Sequence, residues 1–430
     1  MADEPAENPQ NPFKGTPFEA LFGQLAGGGM DLGQMMAQMQ RLFEPHEGTV
    51  NYRLAGDIAR HTVAAQGADP SPHAGQAGAV QDAARLAEMW LDRATGLPAG
   101  ATSAAAWSRA EWIEHTLPSW QVMIEPIAEH AVSSMGDALP AEARAMAGPL
   151  VGMLGQAGGA MFGQQIGSAL GALATEVLSS TEVGLPLGPA QVAAVLPHNV
   201  AAFATDLEAS EADVLLYVML RECAHHRLYA HAPWLRAAVL GAVDDFGRGI
   251  RIDTAAIEEQ MRSIDPSRPE AMQDALSGGL FEPQTTPEQE RAKERLELLL
   301  ALVEGWVDEV VARATADVMP AAGALAEAMR RRRATGGPAE ETFAALVGLE
   351  LRPRRLRDAA NLWSAMRDGR GAEARDAVWS HPDLLPTSED LDDPLGFVER
   401  GGRFAEDTDF DAALSALLEG ENPDESDPAH

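Results

Sequence analysis

Apolar and polar positions along this chain repeat with a helical period almost throughout. Two short helical patterns come first, at Phe18–Leu25 and Asp31–Phe43; the second carries Met35, Met36, Met39, Leu42 and Phe43. A methionine face can serve as an adaptable docking surface, but the plainest expectation is a helix lying on the parent core. From Val50 to Leu139 the pattern stays helical and gathers Trp90, Trp107, Trp112 and Trp120, large rings that at such spacing belong to a core. Residues 145–175 have no charged side chain and place glycine at 155, 159, 163, 167 and 171. Four residues is slightly more than one helical turn, so these glycines form a smooth stripe that a second helix can approach closely. Gln156, Gln164, Gln165 and Ser168 interrupt the run. A membrane span wants about 20 predominantly apolar residues, so the expectation is a buried helix or hairpin of helices.

A turn region follows at 179–187, and Pro189 and Pro197 bracket another predicted helical stretch. The next helix is expected over 212–230, with Pro233 marking its end. Its first half, Val214–Leu220, is apolar nearly all round and so must be buried. Residues 264–286 are rich in proline and glycine and read as loop. Thr286 as N-cap, Pro287 at the first helical position and Gln289 completing a capping box then predict a helix to about 318. A further helix carries Arg330–Arg333 near its end, where positive charge suits the helix dipole. The fold class is mostly α. Residues 1–45 are expected to be a flexible segment with short amphipathic helices, 46–380 a helical domain and 381–430 an acidic tail. That tail holds 15 acids against two arginines and reads as extended or disordered, apart from one short helix at Asp411–Leu418.

Charge narrows the function classes. The chain has 430 residues and a net charge of −33, from 65 acids and 32 bases. That argues against nucleic acid and anionic membrane as partners, since both attract basic surfaces. The basic clusters Arg330–Arg333 and Arg352, Arg354, Arg355, Arg357 are expected to pair with acids of the fold or offset the tail. The lone Cys223 excludes an intramolecular disulfide, and the acidic start Met1-Ala2-Asp3-Glu4-Pro5 is unlike a signal peptide, so a cytoplasmic protein is expected. No G-x-S-x-G elbow supports a serine hydrolase, and no Gly-Lys-Ser/Thr ends the glycine run as a phosphate loop requires.

The stretch with most chemistry is Arg221-Glu222-Cys223-Ala224-His225. In H-E-x-x-H, two histidines four apart on one helical face bind zinc and the glutamate between them is the general base. Here the first histidine is Arg221, whose protonated guanidinium has no lone pair to give a metal. Arg221 arrives on a buried helix and needs carboxylate partners. Glu304 and Asp308, four apart on the capped helix, are the candidates. His231 follows His225 at the separation of the last two histidines in H-E-x-x-H-x-x-G-x-x-H, but Leu228 stands where that pattern has a helix-breaking glycine. Cys223 and His226 project from other parts of the helix surface than His225.

The wider sequence resembles an actinobacterial zincin-like family of zinc-dependent metalloproteases and hydrolases, sister to a branch associated with deazaflavin-coenzyme biosynthesis. The resemblance lies in Gly163-Gln164-Gln165-Ile166-Gly167 through Leu187, in Leu220–His226 with Pro233-Trp234-Leu235, in Gly348–Arg357 and in Pro382–Pro394. It implies a zincin-like helical domain with Glu222 at the general-base position, His225 at a zinc-ligand position and Glu304 as third ligand. Asp308 would then stand where thermolysin-like zincins keep the aspartate that orients the first zinc histidine. Arg221 departs from the pattern, so the predicted function is a degenerate zinc site (R-E-x-x-H) in a catalytically impaired protein that binds or regulates a protein or peptide partner. The alternative is an active zinc metallopeptidase with an altered ligand set: His225, Glu304 and His231.

Overall fold

The computed structural model describes residues 46, 48–137, 148–205, 207–249, 286–334 and 355–400. The methionine-rich pattern at 31–43, the loop-rich segment 264–285, Arg352, Arg354 and the pattern at Asp411–Leu418 lie outside the described residues.

Helix α1 (Tyr52–Gln66) starts on Asn51, whose side chain accepts a hydrogen bond from Leu54 N at 3.0 Å. Such a cap stabilises a helix by about 1 kcal/mol. Helix α2 (Ala74–Leu91) leads to strand β1 (Ser103–Ala106) and the long helix α3 (Arg109–Asp137). Trp107, Trp112 and Trp120 are buried, and Trp90 packs partly buried against the same core. Helix α4 (Gly148–Ala174) is a single helix, and its glycine stripe lies along α1. A Cβ on Gly163 would sit 2.6 Å from the carbonyl oxygen of Asn51, and one on Gly167 2.5 Å from that of Ala55. The two backbones touch, which any larger side chain forbids. Among the described residues no helix is long and apolar enough to cross a membrane.

Strand β2 (Val192–Val195) pairs with β1 in parallel, in the register Ser103↔Val192 to Ala106↔Val195. Both lie where the sequence pattern predicts helix. The reason is tertiary: both are short and alanine-rich, and β2 is a buried strand under the next helices, with Ala193, Ala194 and Val195 in the core. Between the bracketing prolines the chain is therefore a strand, and helix α5 (Pro197–Ala204) begins at the second of them.

Helix α6 (Glu211–His231) starts on Ser210, which accepts from Asp213 N at 3.1 Å, and stops where Pro233 opens helix α7 (Pro233–Arg248). Helix α8 (Pro287–Thr315) opens on the Thr286/Gln289 capping box with both hydrogen bonds present. Helix α9 (Ala322–Ala334) carries the arginine run, and α10 (Leu356–Arg370) packs along α8. Trp363 donates to the Leu302 carbonyl at 2.9 Å and stacks on Trp379, with ring centroids 5.4 Å apart.

The expected boundary at 380 moves. After α11 (Ala372–Ala377) the chain continues through two 3-10 turns into α12 (Ser388–Asp392) and α13 (Pro394–Glu399), and Leu391 and Phe397 bury themselves beside α10. Residues 381–399 therefore fold with the helical domain. The apolar anchors Leu391 and Phe397 outweigh the local excess of acids, each contributing about 1.5–3 kcal/mol on burial.

Candidate metal centre

At 100° per residue, Arg221 and His225 share one face of α6, while Glu222 and His226 share the next. The two faces meet different surroundings.

Arg221 and His225 look at α8. The Arg221 guanidinium is buried and donates through Nη2 to Glu304 Oε2 at 2.6 Å and through Nη1 to Asp308. His225 Nε2 lies 3.0 Å from Glu304 Oε1, and its Nδ1 lies 2.8 Å from the Arg221 carbonyl oxygen. Both ring nitrogens thus face oxygens that can only accept. Glu304 has a third partner: Arg333 at the end of α9 donates to its Oε2. Burial alone would raise the Glu304 carboxyl. The Arg333 charge, His225 and Arg221 outweigh it and hold the group far below the usual carboxylate range. Tyr229 hydrogen-bonds the Gly184 carbonyl at 2.8 Å beside this cluster; burial first, and the Glu304 charge second, push its phenol up.

Glu222 and His226 look the other way, at β2 and the 179–181 turn. Glu222 is fully buried. It accepts from Ser180 Oγ, from Thr181 Oγ1 at 2.5 Å and N at 3.1 Å, and from Ala194 N at 3.0 Å, with His226 Nε2 at 3.3 Å. Burial would raise this carboxyl, but His226 and the two hydroxyls together hold it down to about 2. The glutamate therefore joins α6 to the strand and the turn. Its hydrogen-bond partners belong to a different set from those of His225 and Glu304.

Of the residues singled out in the sequence, the structure brings together Arg221, His225, Glu304 and Asp308, and directs Glu222 elsewhere. His231 is exposed, its Nδ1 2.8 Å from the Arg227 carbonyl oxygen. Cys223 is buried, its thiol pushed well up by burial and then by Glu88. Sequence reasoning missed Arg333 as a partner of Glu304. The only signal was the arginine run itself, read as pairing with acids of the fold. It also missed the donors to Glu222, although Ser180 and Thr181 stand in the turn expected at 179–187.

A catalytic zinc takes three protein ligands with lone pairs and an open position for water. His225 and Glu304 supply two. The place of the third holds a guanidinium, which brings positive charge and no lone pair. Glu304 Oε2 is already taken by two cations. Among the described residues no group of three or more His, Cys, Asp or Glu is placed to hold a metal ion. The residues present do not fit zinc, and no catalytic step follows from it.

Comparison with known proteins agrees with the fold. No curated protein matches the chain. A crystal structure of a provisionally assigned hydrolase with a novel fold, from Chloroflexus aurantiacus, aligns over 82% of this chain and 98% of its own with a TM-score of 0.59 and 19% identity, a likeness of fold. The model of the zincin-like metallopeptidases matches residues 50–398, nearly the whole described domain. The chain belongs to the zincin-like metallopeptidase family.

Proposed function

We propose that this chain is a non-catalytic member of its family, a binding or regulatory protein whose metal centre has become a buried ion cluster. The observation that carries the reading is the Glu304 carboxylate, already held by Arg221 at 2.6 Å, by His225 at 3.0 Å and by Arg333. A dication about 4 Å from one guanidinium is repelled by roughly 8 kcal/mol at an effective dielectric constant of 20. That is of the order of the whole gain, about 10–16 kcal/mol, of a complete structural zinc site. Glu222 supports the same reading. A general base works best near the operating pH, and a carboxylate held down to about 2 with five hydrogen-bonding atoms around it has little proton affinity at neutral pH.

The partner in this reading is a protein or peptide, and the setting is the cytoplasm, where a lone buried cysteine is at ease. The test is metal analysis of protein purified without an affinity tag. The expected result is zinc well below one per chain, unchanged by His225→Ala. One zinc per chain that disappears with His225→Ala would replace this reading with an active metallopeptidase of altered ligand set.

A further inference from the structure

Glu304 is claimed from two directions, and only one of them is the motif helix. Arg333 reaches it from the end of α9 and meets the same Oε2 that takes Arg221. Its Nη2 lies 3.4 Å from the Glu182 carbonyl oxygen, and the neighbouring Arg332 Nε lies 3.5 Å from the Glu182 carboxylate. Helix α9 is thereby fastened to the turn that also supplies Ser180 and Thr181 to Glu222. Two guanidiniums stand against two carboxylates, Glu304 and Asp308, which is the charge a single dication would balance.

On the reading that the centre is filled by guanidinium groups, we propose that Arg333 is the second half of a dication substitute: Arg221 takes a metal-ligand position, Arg333 neutralises the ligand carboxylate, and exclusion of metal depends on both. Removing Arg221 alone leaves Glu304 Oε2 paired with a cation. A metal ion entering there meets that cation on its own ligand atom, in a buried setting where charges are poorly screened. Arg221→His supplies a third ligand, the second imidazole, but leaves this obstacle. Arg221→His with Arg333→Gln removes it. Asp308, freed from Arg221 Nη1, is then left beside the introduced imidazole, where a carboxylate orients the ring and raises its basicity.

The experiment is a zinc titration against a chromophoric chelator, on untagged full-length protein stripped of metal. Wild type is expected to take up no zinc and Arg221→His to bind weakly. Arg221→His/Arg333→Gln should bind at least about tenfold more tightly than the single variant. Arg221→His/Arg333→Lys, which keeps the positive charge, should stay within about twofold of the single variant. Equal affinities for the single and the glutamine double overturn the proposal, as does absence of zinc on both. Stoichiometric zinc on wild type, lost with His225→Ala, overturns the underlying reading instead. If the glutamine double does not fold alone, refolding in zinc is followed by circular dichroism. Zinc-dependent recovery of the helical signal supports the proposal; no recovery, where Arg221→His refolds unaided, overturns it.

Discussion

Helix α8 carries two buried ion clusters that use the same chemistry to different ends. On one face Glu304 and Asp308 meet Arg221, Arg333 and His225. On another, Glu309 meets Arg375 and, at 2.5 Å, Arg367. Arg375 is fully buried, donates to Asp376 Oδ1 at 2.8 Å and the Ala94 carbonyl at 2.9 Å, and lies over the Trp306 ring. Asp376 in turn accepts from Thr95 Oγ1 at 2.6 Å, Gly96 N at 2.9 Å and Trp306 Nε1 at 3.0 Å. This second cluster is closed at its centre, where Arg375, Glu309 and Asp376 are buried, and reaches solvent only through Arg367. It joins α8, α11 and the 94–96 turn, and its polar atoms are met by backbone and neutral donors as well as charges. The first opens at two charges, since the Asp308 and Arg333 side chains each keep 19% of their exposure, whereas both carboxylates of the second are buried. A carboxylate on a buried helix is therefore no sign of a metal site in itself. What sets the first cluster apart is a histidine four residues from Arg221 with its Nε2 on Glu304.

The largest effect is expected where the cluster is closed. Arg375→Met leaves Glu309 and Asp376 as buried carboxylates short of a counter-charge, and breaking such a pair costs about 3–5 kcal/mol. Denaturant unfolding measures it. A loss below about 1 kcal/mol would show that Arg367 and the neutral donors suffice, and the contrast between the two clusters would disappear.

Glu222 comes next, and its contribution depends on pH. Its carboxyl is held down to about 2 in the fold against an ordinary value of 4.5, so the stability it adds is present above about 4.5 and is lost as pH falls toward 2. The difference corresponds to about 3 kcal/mol. Glu222→Gln also sets an amide N–H₂ against donors that need an acceptor. The variant should be about 3 kcal/mol less stable at pH 7, and the gap to wild type should close between pH 4.5 and 2. A gap that stays constant over that range would remove the ionised carboxylate from the account.

Glu222 and Arg333 mark what the sequence could and could not disclose. Helix α6 was expected over 212–230 and runs Glu211–His231; α8 was expected from Pro287 and starts there on its capping box. Both rest on local signals, proline stops and a Thr286–Gln289 cap. Spacing placed Arg221 with His225 and Glu304 with Asp308, because residues four apart share a helical face whatever the fold. Nothing local could say which way Glu222 points, because that depends on a strand, Val192–Val195, whose alanines read as helix. Arg333 was hidden for a related reason. Its partner lies 29 positions earlier, and the pairing depends on the angle at which α9 returns over α8. The anchors Leu391 and Phe397 were masked by the acids around them.

Arg221 and Arg333 share Glu304 but should not contribute equally, and their ratio sharpens the comparison further. Arg221→Met removes a buried guanidinium from two carboxylates, yet Glu304 keeps Arg333 and His225 and Asp308 reaches solvent, so the expected loss is about 2 kcal/mol, less than for Arg375→Met. Arg333→Gln is the smallest change. Its guanidinium sits at the rim, where ion pairs contribute about 1 kcal/mol or less, and Glu304 keeps the better buried cation. Because both arginines act through one carboxylate, the double variant should be worse than the sum of the singles, by about 1 kcal/mol or more: the second removal strips Glu304 of its last guanidinium. A double-mutant cycle by urea unfolding reads this coupling directly. Additivity within about 0.5 kcal/mol would mean that each arginine acts on its own surroundings, and that the two are not one cluster.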